Sequence, residues 1–86
     1  MTTNARSKAT YYLANAFKEL RITQSIDVLK FWDIYLDGFV QGLEAVGRIT
    51  KEQAEKIIEQ RDKIYDARID LLQKKESRQR QLSAKA

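Results

Sequence analysis

The segment Ser25 to Val46, SIDVLKFWDIYLDGFVQGLEAV, carries two complete apolar rows at helical spacing. One row is Ile26, Leu29, Leu36, Val40 and Leu43; the other is Val28, Trp32, Tyr35, Phe39 and Val46. At 3.6 residues per turn the two rows lie side by side, so Asp27, Lys30, Asp37, Gln41 and Glu44 are confined to a narrow polar stripe. A helix of this kind has to be covered over most of its circumference. The chain supplies one candidate neighbour on either side in sequence.

The upstream candidate is a helix over about residues 4–21, starting after Thr3 or Asn4, either of which can serve as an N-cap. Ala5, Ala9, Tyr12, Leu13, Ala16, Phe17 and Leu20 form its apolar stripe in an i, i+3, i+4, i+7 series. Arg6 and Lys8 put positive charge near its start, where the helix dipole disfavours it. The link RITQS offers Thr23 or Ser25 as cap for the central helix, 25–46, and a link this short implies antiparallel neighbours. Val46-Gly47-Arg48-Ile49 reads as a helix stop with glycine in the left-handed position. Thr50-Lys51-Glu52-Gln53 follows as a capping box, with Ile49 placed to pack on Ala54.

The third helix is expected over about 50–80. Its apolar doublets Ile57-Ile58, Ile64-Tyr65 and Leu71-Leu72 recur every seven residues, the coiled-coil period, with Ala54, Arg61, Arg68 and Lys75 in a parallel row. The fold class is all-α: a three-helix antiparallel, up-down-up bundle with a long C-terminal helix and the central helix sandwiched by the other two. Residues 1–73 form the bundle, and 74–86 a basic helical extension or frayed tail. The third helix outruns its neighbours, and 86 residues bury only a modest core, so a homodimer is favoured over a lone monomer.

Absences narrow the function. With no cysteine and no histidine, disulfides, thiolate or imidazole metal ligands, cysteine nucleophiles and the usual general base drop out; no cofactor is implied, and a reducing cytoplasm fits. No nucleophile has a recognisable base partner, so the chain reads as a non-enzyme. The start lacks the apolar run of a signal peptide, and five charges between Ile26 and Val46 forbid a membrane span. Phosphate-binding glycine loops, zinc-protease and calcium-loop motifs do not occur, and the helices flanking Gly47 are too long and continuous for a helix-turn-helix.

Charge is uneven: +3 through Ile22, −3 from Thr23 to Gly47, balanced to Gln73 and +4 beyond. Lys74, Lys75, Arg78 and Arg80 would attract nucleic acid or an acidic protein surface, with a plain solvated tail as the alternative. Arg6 and Lys8 are expected to join them, the start of the first helix meeting the end of the third. Six further positions bear on packing. Gly38 and Gly42, spaced as in close helix pairs, are expected to accommodate a bulky neighbour such as Phe17 or Tyr65 where helices come closest. Phe31 and Ile34 fall at the edge of an otherwise buried aromatic group and can form an interface patch. Arg61 and Arg68 are expected to pair with Asp33 or Asp37, with pairing across a homodimer or phosphate binding as alternatives.

Taken together, these features suggest a small helical protein–protein interaction module, an adaptor or regulator that self-associates. The alternative is an accessory nucleic-acid binder using the basic C-terminal end. Packing signals favour the first, because the basic end has no stacking aromatics and no base-reading pattern.

Overall fold

Three helices form because three amphipathic runs are separated by two short segments whose side chains satisfy the exposed helix ends. The computed structural model describes the backbone of residues 2–85 and the side chains of residues 8–82. Helix α1 spans Thr2–Ile22, α2 Ile26–Ala45 and α3 Lys51–Lys85, with no strand among the described residues. The third helix runs past the expected stop near residue 80.

The connections follow local chemistry. Ser25 caps α2, its side chain accepting the Val28 N–H at 3.3 Å, while Thr23 Oγ1 accepts the Ser25 N–H. At the far end Gly47 sits at φ +75°, its N–H donating to the Glu44 carbonyl and that of Arg48 to the Leu43 carbonyl. This pair of bonds satisfies two orphan carbonyls in a Schellman motif. The capping box forms as expected: the Thr50 N–H donates to Gln53 Oε1 at 2.8 Å, and the Gln53 N–H to Thr50 Oγ1 at 3.1 Å.

Ala16, Leu20, Leu29, Leu36 and Leu72 make the centre of the core, with Leu13, Phe17, Ile26, Trp32, Tyr35, Ile64, Tyr65 and Ile69 packed around it. All three helix pairs touch, so the section is a triangle and not a central helix between two others. That corrects the sandwich. Because α1 and α3 close on each other, both lie on one side of α2, and its other side stays uncovered. Members of the heptad doublets on α3, Ile64, Tyr65 and Leu72, are used in this internal seam.

Lys75 Nζ donates to Gln24 and Arg68 to the Thr23 carbonyl, both in the α1–α2 link, while Arg61 donates to Asp37 of α2. Leu72 is the last buried residue among the described side chains of α3, and those from Gln73 to Leu82 are exposed. At ~1.5 Å per residue the 35 residues of α3 span about 52 Å. The molecule measures 60 × 23 × 14 Å, and its radius of gyration is 16.4 Å, against about 12 Å for a compact domain of this length.

Candidate interaction surface

On α2 a 100° step per residue sends Leu29, Leu36 and Val40 into the core and places Phe31, Gly38, Gly42 and Ala45 on the opposite side. Tyr35, Ile34 and Val28 flank that line. The result is a second apolar face, with Phe31 58% and Ile34 72% exposed and Val28 and Val46 also open to solvent. Isolated exposed apolar side chains are ordinary, but a contiguous strip along a helix is a candidate site of association.

The rings on this face order one another. Tyr35 and Phe39 stack nearly parallel, 5.8 Å apart at 7°, and Phe31 stacks on Tyr35 at 6.3 Å. Trp32 meets both Phe31 and Tyr35 edge-on at 5.1 and 5.2 Å. Tyr12 of α1 reaches Phe39, and Tyr11 reaches Tyr12, extending the strip onto the first helix. Aromatic contacts fix these rings at low entropic cost, a property of good contact residues.

Gly38 and Gly42 do not do what their spacing suggested. A Cβ built at either would meet no atom within 4 Å, so neither Phe17 nor Tyr65 packs there and no helix of the chain approaches closely. They form a bare trough in the uncovered face. Both glycines lie on the same side as Phe31 because positions 31, 35, 38 and 42 follow one helical row.

The two arginines are engaged inside the chain. Arg61, its side chain 12% exposed, contacts Asp33 at 3.1 Å, Asp37 at 3.2 Å and Asp62 at 2.8 Å. Burial, partly offset by Arg61, raises the Asp33 pKa above the ordinary carboxylate value. Burial would lower that of Arg61, but hydrogen bonding and charge from Asp62 and Asp33 outweigh it and raise it. The guanidinium holds the centre of this acidic cluster, and among the described residues no group of three or more carboxylates is arranged to hold a metal ion. Arg68 differs from expectation. Its guanidinium donates to the Thr23 carbonyl at 2.9 Å and the Ile22 carbonyl at 3.3 Å, satisfying acceptors at the α1 terminus in place of a carboxylate. With these contacts both arginines serve packing between helices of one chain.

Of the basic residues, Lys74 pairs with Asp70 at 2.9 Å, Lys75 donates to Gln24, and Arg78 and Arg80 are exposed on the projecting part of α3. Lys8 is not beside them. The neighbouring Ala9 and Thr10 share a groove with Leu13, Leu43, Gly47, Arg48, Ile49 and Gln53 at the α2–α3 turn, whereas Lys75 lies by the α1–α2 link. The groove at the α2–α3 turn and the Lys75–Gln24 contact lie at different connections, so the expected single basic end does not form around Lys8. The Arg6 side chain lies outside the described residues.

Two observations were not accessible to pattern reading: the bareness of the glycine trough and the carbonyl partners of Arg68. The first depends on where α1 and α3 sit around α2, and the second on backbone acceptors that no side-chain pattern displays. No described helix is long and apolar enough to cross a membrane. Comparison with known protein families, curated proteins and solved structures gives no match to this chain.

Proposed function

We propose that this chain is a non-enzymatic helical interaction module, an adaptor or regulator of the cytoplasm, that works by offering the exposed face of α2 to another helix. One observation carries the reading: exposed Phe31 and Ile34, with half-buried Tyr35 beside them, and the bare Gly38–Gly42 trough share one face of the helix that also supplies the core. A helix apolar on nearly every side is stable in water when a partner covers the remainder. Self-association is part of the proposal, as a core this small gains from a second subunit.

The test is cross-linking from Lys30, which is exposed on the polar stripe of α2. A protein captured from the source cell by the full chain should be lost with Phe31→Asp/Ile34→Asp and retained when residues 74–86 are removed. Capture indifferent to the face variant but abolished by the truncation overturns this reading.

A second reading rests on the projection of α3, where Arg78 and Arg80 stand exposed and Lys74 and Lys75 sit at its base, paired with Asp70 and Gln24. It makes the chain an accessory nucleic-acid binder. Binding that falls steeply with salt and weakens when these four become Gln would place it first, whereas no binding to DNA or RNA at low salt removes it.

A further inference from the structure

The α2 face is uneven along its length in a way that points to its occupant. Its first half carries bulk in Val28, Phe31 and Ile34, and its second half is bare at Gly38, Gly42 and Ala45. Knob and trough therefore lie on one surface. We infer that the occupant is a second copy of this chain, its α2 packed antiparallel on the first about a two-fold axis crossing between positions 36 and 37; this rests on the reading of the α2 face as the working surface.

In that register Phe31 of each copy enters the trough at Gly42 of the other, Tyr35 lies over Gly38, and Val28 over Ala45. Phe31, Tyr35 and Val28 each meet a bare position, while Ile34 comes level with Phe39, and each contact occurs twice, as an isologous interface requires. Close packing at protein density needs such matching of bulk and hollow. A parallel pairing instead sets Phe31 against Phe31 and glycine against glycine, leaving clashes at one end and voids at the other.

Charge favours the same orientation. The antiparallel register brings Asp27, exposed at the start of α2, level with the Gly47–Arg48 turn of the second copy, so a carboxylate lies near a guanidinium at both ends of the strip. Parallel helices would set Asp27 beside Asp27. Opposite charges at the rim select orientation more than they add affinity. The glycines gain a role that the single chain does not give them: without Cβ atoms they admit rings at backbone distance.

The absence of native cysteine permits a direct test. Val28→Cys chains are mixed with isotopically labelled Ala45→Cys chains and oxidised mildly, and the disulfide-linked species are resolved by mass. The expected result is that mixed 28–45 species dominate over both like-with-like species. Dominance of linked pairs of Val28→Cys chains shows a parallel pairing and overturns the register. Sedimentation equilibrium on the unaltered chain supplies the second arm: a single-chain mass at every concentration overturns the second copy, and the Lys30 cross-linking then decides separately whether another protein uses the face. Gly42→Leu fills the trough where the monomer has open space, so circular dichroism should show an intact helical fold while the dimer dissociation constant rises by about 30-fold or more. A dimer indifferent to Gly42→Leu places the interface elsewhere and overturns the inference.

Discussion

The two faces of α2 are similar in hydrophobicity and different in fate. Leu29, Leu36 and Val40 are enclosed by α1 and α3, whereas Phe31 and Ile34, lying between Leu29 and Leu36 in sequence, stand in solvent. Hydropathy does not separate them; what differs is evenness. The enclosed face is built of branched aliphatic side chains that fill a core, and the open face mixes Val28, Phe31, Ile34 and Val46 with glycines that nothing in the chain approaches. On the proposed reading, a helix that presents both faces acts at once as the fold's centre and as its outer contact surface. Paired substitutions on the two faces should separate stability from association.

The largest difference is expected between Leu36→Ala and Ile34→Ala. Leu36 is fully buried, so truncation should cost about 3 kcal/mol through lost transfer energy and a cavity. Ile34→Ala should change the stability of the monomer by less than about 0.5 kcal/mol and instead weaken association. Urea unfolding followed by Trp32 fluorescence at dilute concentration, with sedimentation at high concentration, reads both. Equal destabilisation by the two would erase the distinction between the faces.

Arg61 tests the flank between the faces. Removing its guanidinium leaves Asp33, Asp37 and Asp62 without the charge that holds them together, and Arg61→Ala should cost about 2 kcal/mol, between the values for exposed and buried pairs. Arg68→Ala, which forfeits two hydrogen bonds to the carbonyls ending α1, should cost about 1 kcal/mol. A reversed order in urea unfolding would show that the α1 terminus matters more than the acidic cluster.

Glycine provides a comparison of opposite signs. Gly42→Ala places a methyl in open space on a helix and should stabilise the monomer by about 0.5–1 kcal/mol, since alanine loses less backbone entropy. Gly47 lies at φ +75°, and Gly47→Ala should destabilise by about 1 kcal/mol. Thermal melts of the two variants should move in opposite directions. If Gly42→Ala also lowers stability, a close approach exists that the isolated chain does not contain.

Local chemistry explains what the sequence made legible. The Thr50–Gln53 box, the left-handed Gly47 and the Arg61–aspartate contacts all follow from side chains at fixed offsets or matched charge, and each forms. Placement around the axis was less accessible. Periodicity showed that α2 is apolar on two adjoining rows, but not that α1 and α3 would meet and leave Val28, Phe31 and Val46 outside. The same gap misplaced Lys8, whose neighbours lie at the α2–α3 turn while the basic part of α3 projects past the other end. Gly38 and Gly42 were visible as a close-approach signal, yet pattern alone could not say that no helix of this chain approaches them.

The smallest expected effect concerns pH and tests the half-buried side of the same helix. Burial raises the Asp33 pKa despite Arg61, so folded Asp33 holds its proton more tightly than the unfolded chain does. The sign follows from linkage: the favourable contribution is fully present below the ordinary value of 3.8 and is lost as pH rises through the raised folded value. Asp33→Asn cannot ionise and escapes this loss. The stability of the variant minus that of the unaltered chain, from urea unfolding at a series of pH values, should therefore shift in the variant's favour between pH 3 and pH 7. Neighbouring Asp37 and Asp62 act in the same direction, because each raises the Asp33 pKa and each is relieved when its charge is absent. A net-stabilising ion pair at Asp33 gives the opposite slope, so a shift against Asp33→Asn as pH rises would show that attraction to Arg61 outweighs burial at this position.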